Sequence, residues 1–264
     1  MSAETTAWQA LEAELDAWAG AGRRAQVWWR DDDATAPSVA LERLLALAEV
    51  HRAPLALAVI PARAGPALAA CVATATDVAV LQHGYAHENH APAGAKKCEL
   101  VDPGARPTLT AELENGRERL GALFGPRLLT VMVPPWNRIA PALALRLPAL
   151  GFTGLSTYRA RTAAEAAPGL CQVNTQADIL QWHPQRRFLG TVAALDLLTG
   201  HLAAKRRGAA DPDEPSGILS HHAVHDEAAW RFLDALLAHL ARHPAVQLLP
   251  AAEAFAPAAR RAPA

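Results

Sequence analysis

Val27-Trp28-Trp29-Arg30-Asp31-Asp32-Asp33 sets a short apolar run directly against three consecutive carboxylates. Residues 26–30 read as a buried strand, which places the aspartates at its carboxyl end. Three adjacent carboxylates repel one another, so folding gains nothing by gathering them, and a cation would offset the repulsion. A helix N-cap is the structural alternative, because Pro37 opens a helix just downstream. One of the three aspartates can cap a helix; all three cannot. The run therefore points to a metal.

Outward from this strand, apolar runs and helical periodicities alternate. Trp8, Leu11, Leu15 and Trp18 recur at helical spacing, and the helix from Pro37 presents Leu41, Leu44, Leu45 and Ala48 on one face. Strands are expected at 55–60, 78–82, 128–133, 153–157, 171–174, 217–220 and 246–248. Helices are expected at 65–75, 110–124, 141–150, 191–207 and 226–243, and a long Pro/Gly-containing loop at 88–109. Strands separated by helices require a parallel sheet. With about seven such strands the expectation is an α/β fold, a distorted TIM-like (β/α) barrel, with an open doubly wound sheet as the alternative. Residues 1–256 read as one domain and 257–264 as a frayed Ala/Arg/Pro tail.

The formal net charge of -1, with short scattered basic pieces, gives no electrostatic case for nucleic acid or an anionic membrane. Cys71, Cys98 and Cys171 are odd in number and far apart, which disfavours a disulfide framework or a zinc–thiolate site and fits a reducing compartment. The N-terminal residues show no signal peptide, and no apolar span is long enough for a membrane, so a cytoplasmic protein is expected. The expected partner is a small molecule or an oligosaccharide.

In parallel α/β folds the chemistry sits at the carboxyl ends of the strands. Four of the expected strand ends carry polar clusters: Asp31-Asp32-Asp33, His83-Gly84-Tyr85-Ala86-His87, Pro134-Pro135-Trp136-Asn137-Arg138 and Ser220-His221-His222. His83 and His87 would meet on one face if a helical turn follows the strand, and with a carboxylate from another strand would form a two-His, one-carboxylate set. His221 alternates with Leu219 and points the same way along its strand. No G-x-S-x-G elbow, phosphate-cradling glycine loop or dinucleotide fingerprint is present.

With these residues in hand the chain resembles the polysaccharide deacetylase family, carbohydrate esterase family 4. Arg30-Asp31-Asp32-Asp33-Ala34 stands in the place of its T-F-D-D-G motif, and His83-Gly84-Tyr85-Ala86-His87 in that of H-S/T-x-x-H. Val133-Pro134-Pro135-Trp136-Asn137 matches R-x-P-Y/W-G, Asp178 to Trp182 is a loose counterpart of the fourth motif, and Leu219-Ser220-His221 matches L-x-H. The resemblance covers about residues 26–225 and implies a distorted (β/α) barrel that removes an acyl group, typically N-acetyl, from an amino-sugar-containing substrate. It implies one divalent ion, zinc first with cobalt, nickel or manganese as alternatives, held by Asp33, His83 and His87. Asp32 would be the general base and His221 the general acid, with the backbone N–H of Trp136 donating to the oxyanion. Arg138 or Arg30 would keep Asp32 ionised, because the arginine of the third motif is Val133 here. If the register slips by one, Asp31 becomes the base and Asp32 the ligand. Two other readings remain: a hydrolase of a small non-sugar amide or cyclic ureide on the same barrel, and a non-catalytic barrel that binds a sugar or a partner protein.

Overall fold

The computed structural model describes residues 1–256; the expected tail at 257–264 lies outside them. The helices are α1 (Ala3–Gly20), α2 (Val39–His51), α3 (Pro66–Ala73), α4 (Leu109–Phe124), α5 (Pro141–Ala144), α6 (Thr191–Arg206), α7 (Glu227–Arg242) and α8 (Ala251–Ala254). The strands are β1 (Ala25–Ala34), β2 (Leu55–Val59), β3 (Val78–His83), β4 (Leu128–Val133), β5 (Gly154–Leu155), β6 (Glu165–Ala167), β7 (Leu170–Gln172) and β8 (Ala177–Asp178). A small hairpin, β9 (Leu180–Gln181) with β10 (Arg187–Phe188), is followed by β11 (Ser216–Ser220) and β12 (Val246–Leu248).

The main sheet runs β6-β7-β5-β4-β3-β2-β1-β11-β8, with β12 also on β1. Every pairing in it is parallel except β6 with β7. The sheet curls so far that one chain segment reaches both of its ends. Val173 donates to Leu155 O and Thr175 to Thr157 O on the β5 side, and Gln176 then donates to Gly217 O on the β11 side. This short irregular segment stands where a closed barrel would have a continuous ladder.

The curl encloses an apolar cluster of Trp28, Ala56, Ala58, Leu81, Val131, Val133 and Val173, with α8 contributing Ala251 and Ala254. The larger core lies outside the sheet, where Trp29, Leu55, Leu57 and Val80 meet α1, α2, α6 and α7. Strand alternation assigns the two layers: Trp28 faces in and Trp29 faces out.

The regular elements agree with the sequence to within a residue or two at most ends, but four differ. β1 continues through Ala34, so the three aspartates lie inside the strand rather than beyond it. The expected helix at 141–150 shrinks to α5 and a separate 3-10 turn at Pro148–Leu150, because Pro148 cannot supply the N–H that would continue the helix. The strands at 153–157 and 171–174 are reduced to Gly154–Leu155 and Leu170–Gln172. No helix among the described residues is long and apolar enough to cross a membrane.

Candidate active site

The end of β1 is irregular in a way that separates the three aspartates. The β1–β2 pairing steps from Asp31↔Leu57 to Ala34↔Val59, three residues against two, which is a β-bulge. Asp33 sits at the bulge with φ 71, a left-handed conformation that re-aims its side chain.

Asp33 meets the two expected histidines. Its Oδ1 lies 3.0 Å from His83 Nε2 and 3.3 Å from His87 Nε2, and one ligand atom from each of the three falls within 4.8 Å of the others. The Nδ1 of His83 bonds the carbonyl of Val133 at 2.9 Å, which fixes the proton there and turns Nε2 to the cluster. Without an ion, burial pushes the Asp33 carboxyl up, but hydrogen bonds from His83 and His87 outweigh it and hold it far below the usual range. Burial lowers His83, and the Asp33 hydrogen bond with the charges of Asp32 and Asp33 more than reverses that. Two imidazoles and one carboxylate are a donor set that zinc and its neighbours accept.

The two histidines are not brought together by a helical turn. Residues 84–87 form a loop with Gly84 at φ 55 and His87 at φ 60, and no hydrogen-bonded helix begins there. The buried carboxylate of Glu99 accepts from three successive N–H groups in this loop: Tyr85 at 3.2 Å, Ala86 at 2.7 Å and His87 at 3.0 Å. Sequence reasoning missed Glu99, which comes from the far end of the long 88–109 loop. His90, in the same loop, contacts Arg106 rather than the triad.

Asp32 lies on the inward face with Arg30 and is 2% exposed. The Arg30 guanidinium forks onto it, with Nη2 donating to Oδ2 at 3.0 Å and Nε lying 2.9 Å from Oδ1, off the ideal N–H axis. Arg30 itself is fully buried and spends its other donors on Ser156 Oγ (2.6 Å), Thr157 O (3.3 Å) and Asn137 Oδ1 (2.8 Å). Arg138, the other candidate for this task, instead donates to Lys97 O at 2.9 Å. The reason lies in the backbone: Asn137 takes a left-handed φ of 54, and the chain beyond it carries Arg138 to the rim.

His221 also approaches Asp32, with Nε2 3.9 Å from Oδ2. The indole of Trp182 packs edge-on against its ring at 4.5 Å, and Trp182 Nε1 donates to Asp178 Oδ2 at 2.8 Å. Burial raises the Asp178 carboxyl above its ordinary value, against the opposing charge of His221 and the Trp182 hydrogen bond. The loose fourth motif therefore does assemble beside His221. The Trp136 ring packs on His87 at 4.4 Å, and Trp136 holds a left-handed φ of 55. Lys97 lies over the Trp136 ring and Arg186 over that of Trp182.

Asp31 points the other way, toward the helix layer. Its Oδ2 accepts from Ser220 Oγ (2.6 Å) and His222 N (2.9 Å), and its Oδ1 meets His222 Nδ1 at 2.5 Å. Burial raises Asp31, but the His222 charge and hydrogen bond, His225 and Ser220 together hold it below its usual value. Asp31 thus anchors the turn that presents His221. His225 closes this turn, with Nε2 3.3 Å from His221 N, and burial with the charges of His221 and His222 pushes its pKa down to about 4.

That depression has a sign. His225 is neutral in both states above about pH 6.5; below it the unfolded chain binds a proton that the folded chain refuses until about pH 4. Stability contributed by this site is lost as pH falls through that window, by about 2–3 kcal/mol. His225→Gln, which keeps an acceptor for the turn, is expected to lose less stability than the wild type between pH 7 and pH 4.5 in urea unfolding. Parallel curves for the two proteins would rule the effect out.

A second group of ligand-type side chains, Glu12, Asp16 and His243, lies between α1 and α7. There His243 Nδ1 accepts from Ala245 N at 3.2 Å, which leaves the ring proton on Nε2, facing the carboxylates. A donor N–H in that position ties helices together and does not ligate a metal.

No protein-family profile and no curated protein matches the chain. Solved structures do. A Mycobacterium smegmatis protein assigned as a polysaccharide deacetylase superposes with a TM-score of 0.61 at 18% identity, over 89% of this chain and 90% of that one. A family 4 carbohydrate esterase from Streptomyces lividans, in complex with acetate, gives 0.55 at 16% identity over 86% and 94%. A family 4 acetyl xylan esterase from Clostridium thermocellum, in complex with a cobalt ion, gives 0.51 at 15% identity over 87% and 89%. The chain shares their fold, an α/β architecture on a mostly parallel, curled sheet.

Proposed function

We propose that this protein is a metal-dependent hydrolase of the carbohydrate esterase family 4 type, removing an acetyl group from an amino-sugar-containing substrate. One observation carries the reading: the Arg30-paired carboxylate of Asp32 and the imidazole of His221 lie 3.9 Å apart beside Asp33, His83 and His87, whose ligand-type atoms converge within 4.8 Å. The shared fold supports it, as do the acetate and cobalt ion bound by two of the proteins with that fold.

A divalent ion held by Asp33, His83 and His87, zinc first, would lower the pKa of a bound water and polarise the acyl carbonyl. The rest falls to side chains of this chain. Asp32 takes the proton of the attacking water, and Arg30 holds its carboxylate in position. Trp136 N–H donates to the oxyanion, held in place by the Pro134-Pro135 turn; one such donor is worth roughly 3–4 kcal/mol in the transition state. His221, in its protonated form, gives a proton to the departing amine. Asp178 and Trp182 hold the ring, and Asp31 holds the turn beneath it.

The test is acetate release from N-acetylated oligosaccharides, from acetylated xylan and from small amides, before and after chelation and after return of zinc or cobalt. Release from the amino-sugar substrates alone, abolished by chelation and restored by either metal, is the expected result. Release from small amides alone would transfer the activity to that class. A bound ion with no release from any substrate would sink the hydrolase reading.

A further inference from the structure

We infer that Glu99 is a positioning residue for the metal centre, its buried carboxylate preorganising the loop that delivers His87. The inference rests on the metal-dependent reading above.

Glu99 is 1% exposed, and among the described residues no Lys, Arg or His lies within ion-pair distance of it. A carboxylate taken out of water needs donors to replace its hydration. The Tyr85, Ala86 and His87 N–H groups supply them, all three donating to it. Three consecutive amides converge on one anion only if the backbone is folded back on itself, and this loop is: Gly84 and His87 both hold positive φ. A left-handed histidine is strained and persists only where its surroundings impose it. The hydrogen bond from His87 N to Glu99 is such an imposition.

The sequence makes room for this arrangement. A Cβ at residue 84 would fall 2.0 Å from Glu99 Oε2 and 2.7 Å from the Pro135 ring. Gly84 and Glu99 are complementary: the space a side chain would fill between the two histidines is taken by the carboxylate. The segment holding Glu99 is itself anchored to the turn after β4. Leu100 bridges Ile139, Ala140 N donates to Leu100 O, and Arg138 donates to Lys97 O. That turn also carries Trp136, which packs on His87. Glu99 therefore sets the position of His87 against both its fellow ligand His83 and its packing partner.

The experiment is zinc titration of metal-free protein by calorimetry, with thermal melts of the metal-free form. Glu99→Gln keeps the size but turns an amide NH2 toward backbone donors, so at least one of the three bonds is lost. The zinc Kd is expected to rise 10–100-fold, as for partners of ligating residues elsewhere. Glu165→Gln, which removes a surface carboxylate from the Gly169 N–H, should leave the Kd unchanged. A Glu99→Gln Kd within twofold of wild type, with or without a lower melting temperature, would reduce Glu99 to a loop tie and overturn the inference. Should Glu99→Gln fail to fold, amide exchange on the wild type decides: Tyr85, Ala86 and His87 should be protected before zinc is added. Protection gained only on zinc binding overturns the inference. Wild type that binds no zinc overturns the metal-dependent reading itself, whereas equal binding by wild type and variant overturns only the role of Glu99.

Discussion

Asp32→Asn is expected to retain its metal and lose turnover by about 10²–10⁴-fold, the usual contribution of a positioned general base. The adjacent change, Asp33→Ala, should instead lose the metal. The two aspartates are neighbours in sequence, yet the bulge at Asp33 turns one toward His83 and His87 while the other stays on the inward face with Arg30. Asparagine at 32 still offers a carbonyl oxygen to Arg30, so the chain should fold, and metal content by elemental analysis with steady-state kinetics separates the two roles. Release of the ion by Asp32→Asn would mean the roles are exchanged. Asp31 has no part in that exchange, because its oxygens are committed to Ser220 and His222.

Arg30→Met should destabilise the protein by about 3–5 kcal/mol, because Asp32 would be left buried without its counter-ion. Both groups are almost completely inaccessible, so water cannot take over the missing partner. Arg30→Met combined with Asp32→Leu should recover most of the loss, since an apolar pair of similar volume is often as stable as a buried ion pair. Arg138→Met, whose guanidinium serves a rim carbonyl, should stay within about 0.5 kcal/mol of wild type. Urea unfolding of the metal-free proteins measures all three. If Arg138→Met proved the costly change and Arg30→Met the mild one, the pairing described here would be wrong.

The departures from the family pattern belong together. Val133 stands where the resemblance expects arginine, Arg30 where it expects threonine and Asn137 where it expects glycine. In the structure Arg30 occupies the space around Asp32, and Asn137 accepts one of its donors. A substitution that looks like decay in one motif is thus answered in another. This was legible in principle: a charged residue inside an apolar strand must find a partner, and Asp32 lies two residues on, on the same face. The sequence left Arg30 and Arg138 both open for this role, and the structure gives it to Arg30.

The convergence of Asp33, His83 and His87 was legible from the strand ends and the resemblance, but the helical turn expected between the two histidines is a loop instead. The layer assignment of Trp28 and Trp29 follows from alternation. Glu99 was not legible, since a loop containing Pro92, Gly94, Pro103 and Gly104 has no periodicity to say which residue turns inward. Its one trace was Gly84, a residue with no side chain in the middle of a ligand pair. The short strands after β4 were equally opaque, because two-residue pairings such as Gly154–Leu155 depend on neighbours far away in sequence.

Arg30 and Asp32 share a strand, and this bears on the order in which the molecule assembles. A counter-ion on another strand would meet the carboxylate only after a long loop had closed, late on the path to the native state. Two residues apart in an extended chain, the charges neutralise each other as soon as that strand takes shape. The curling sheet then closes over a pair rather than over a lone anion.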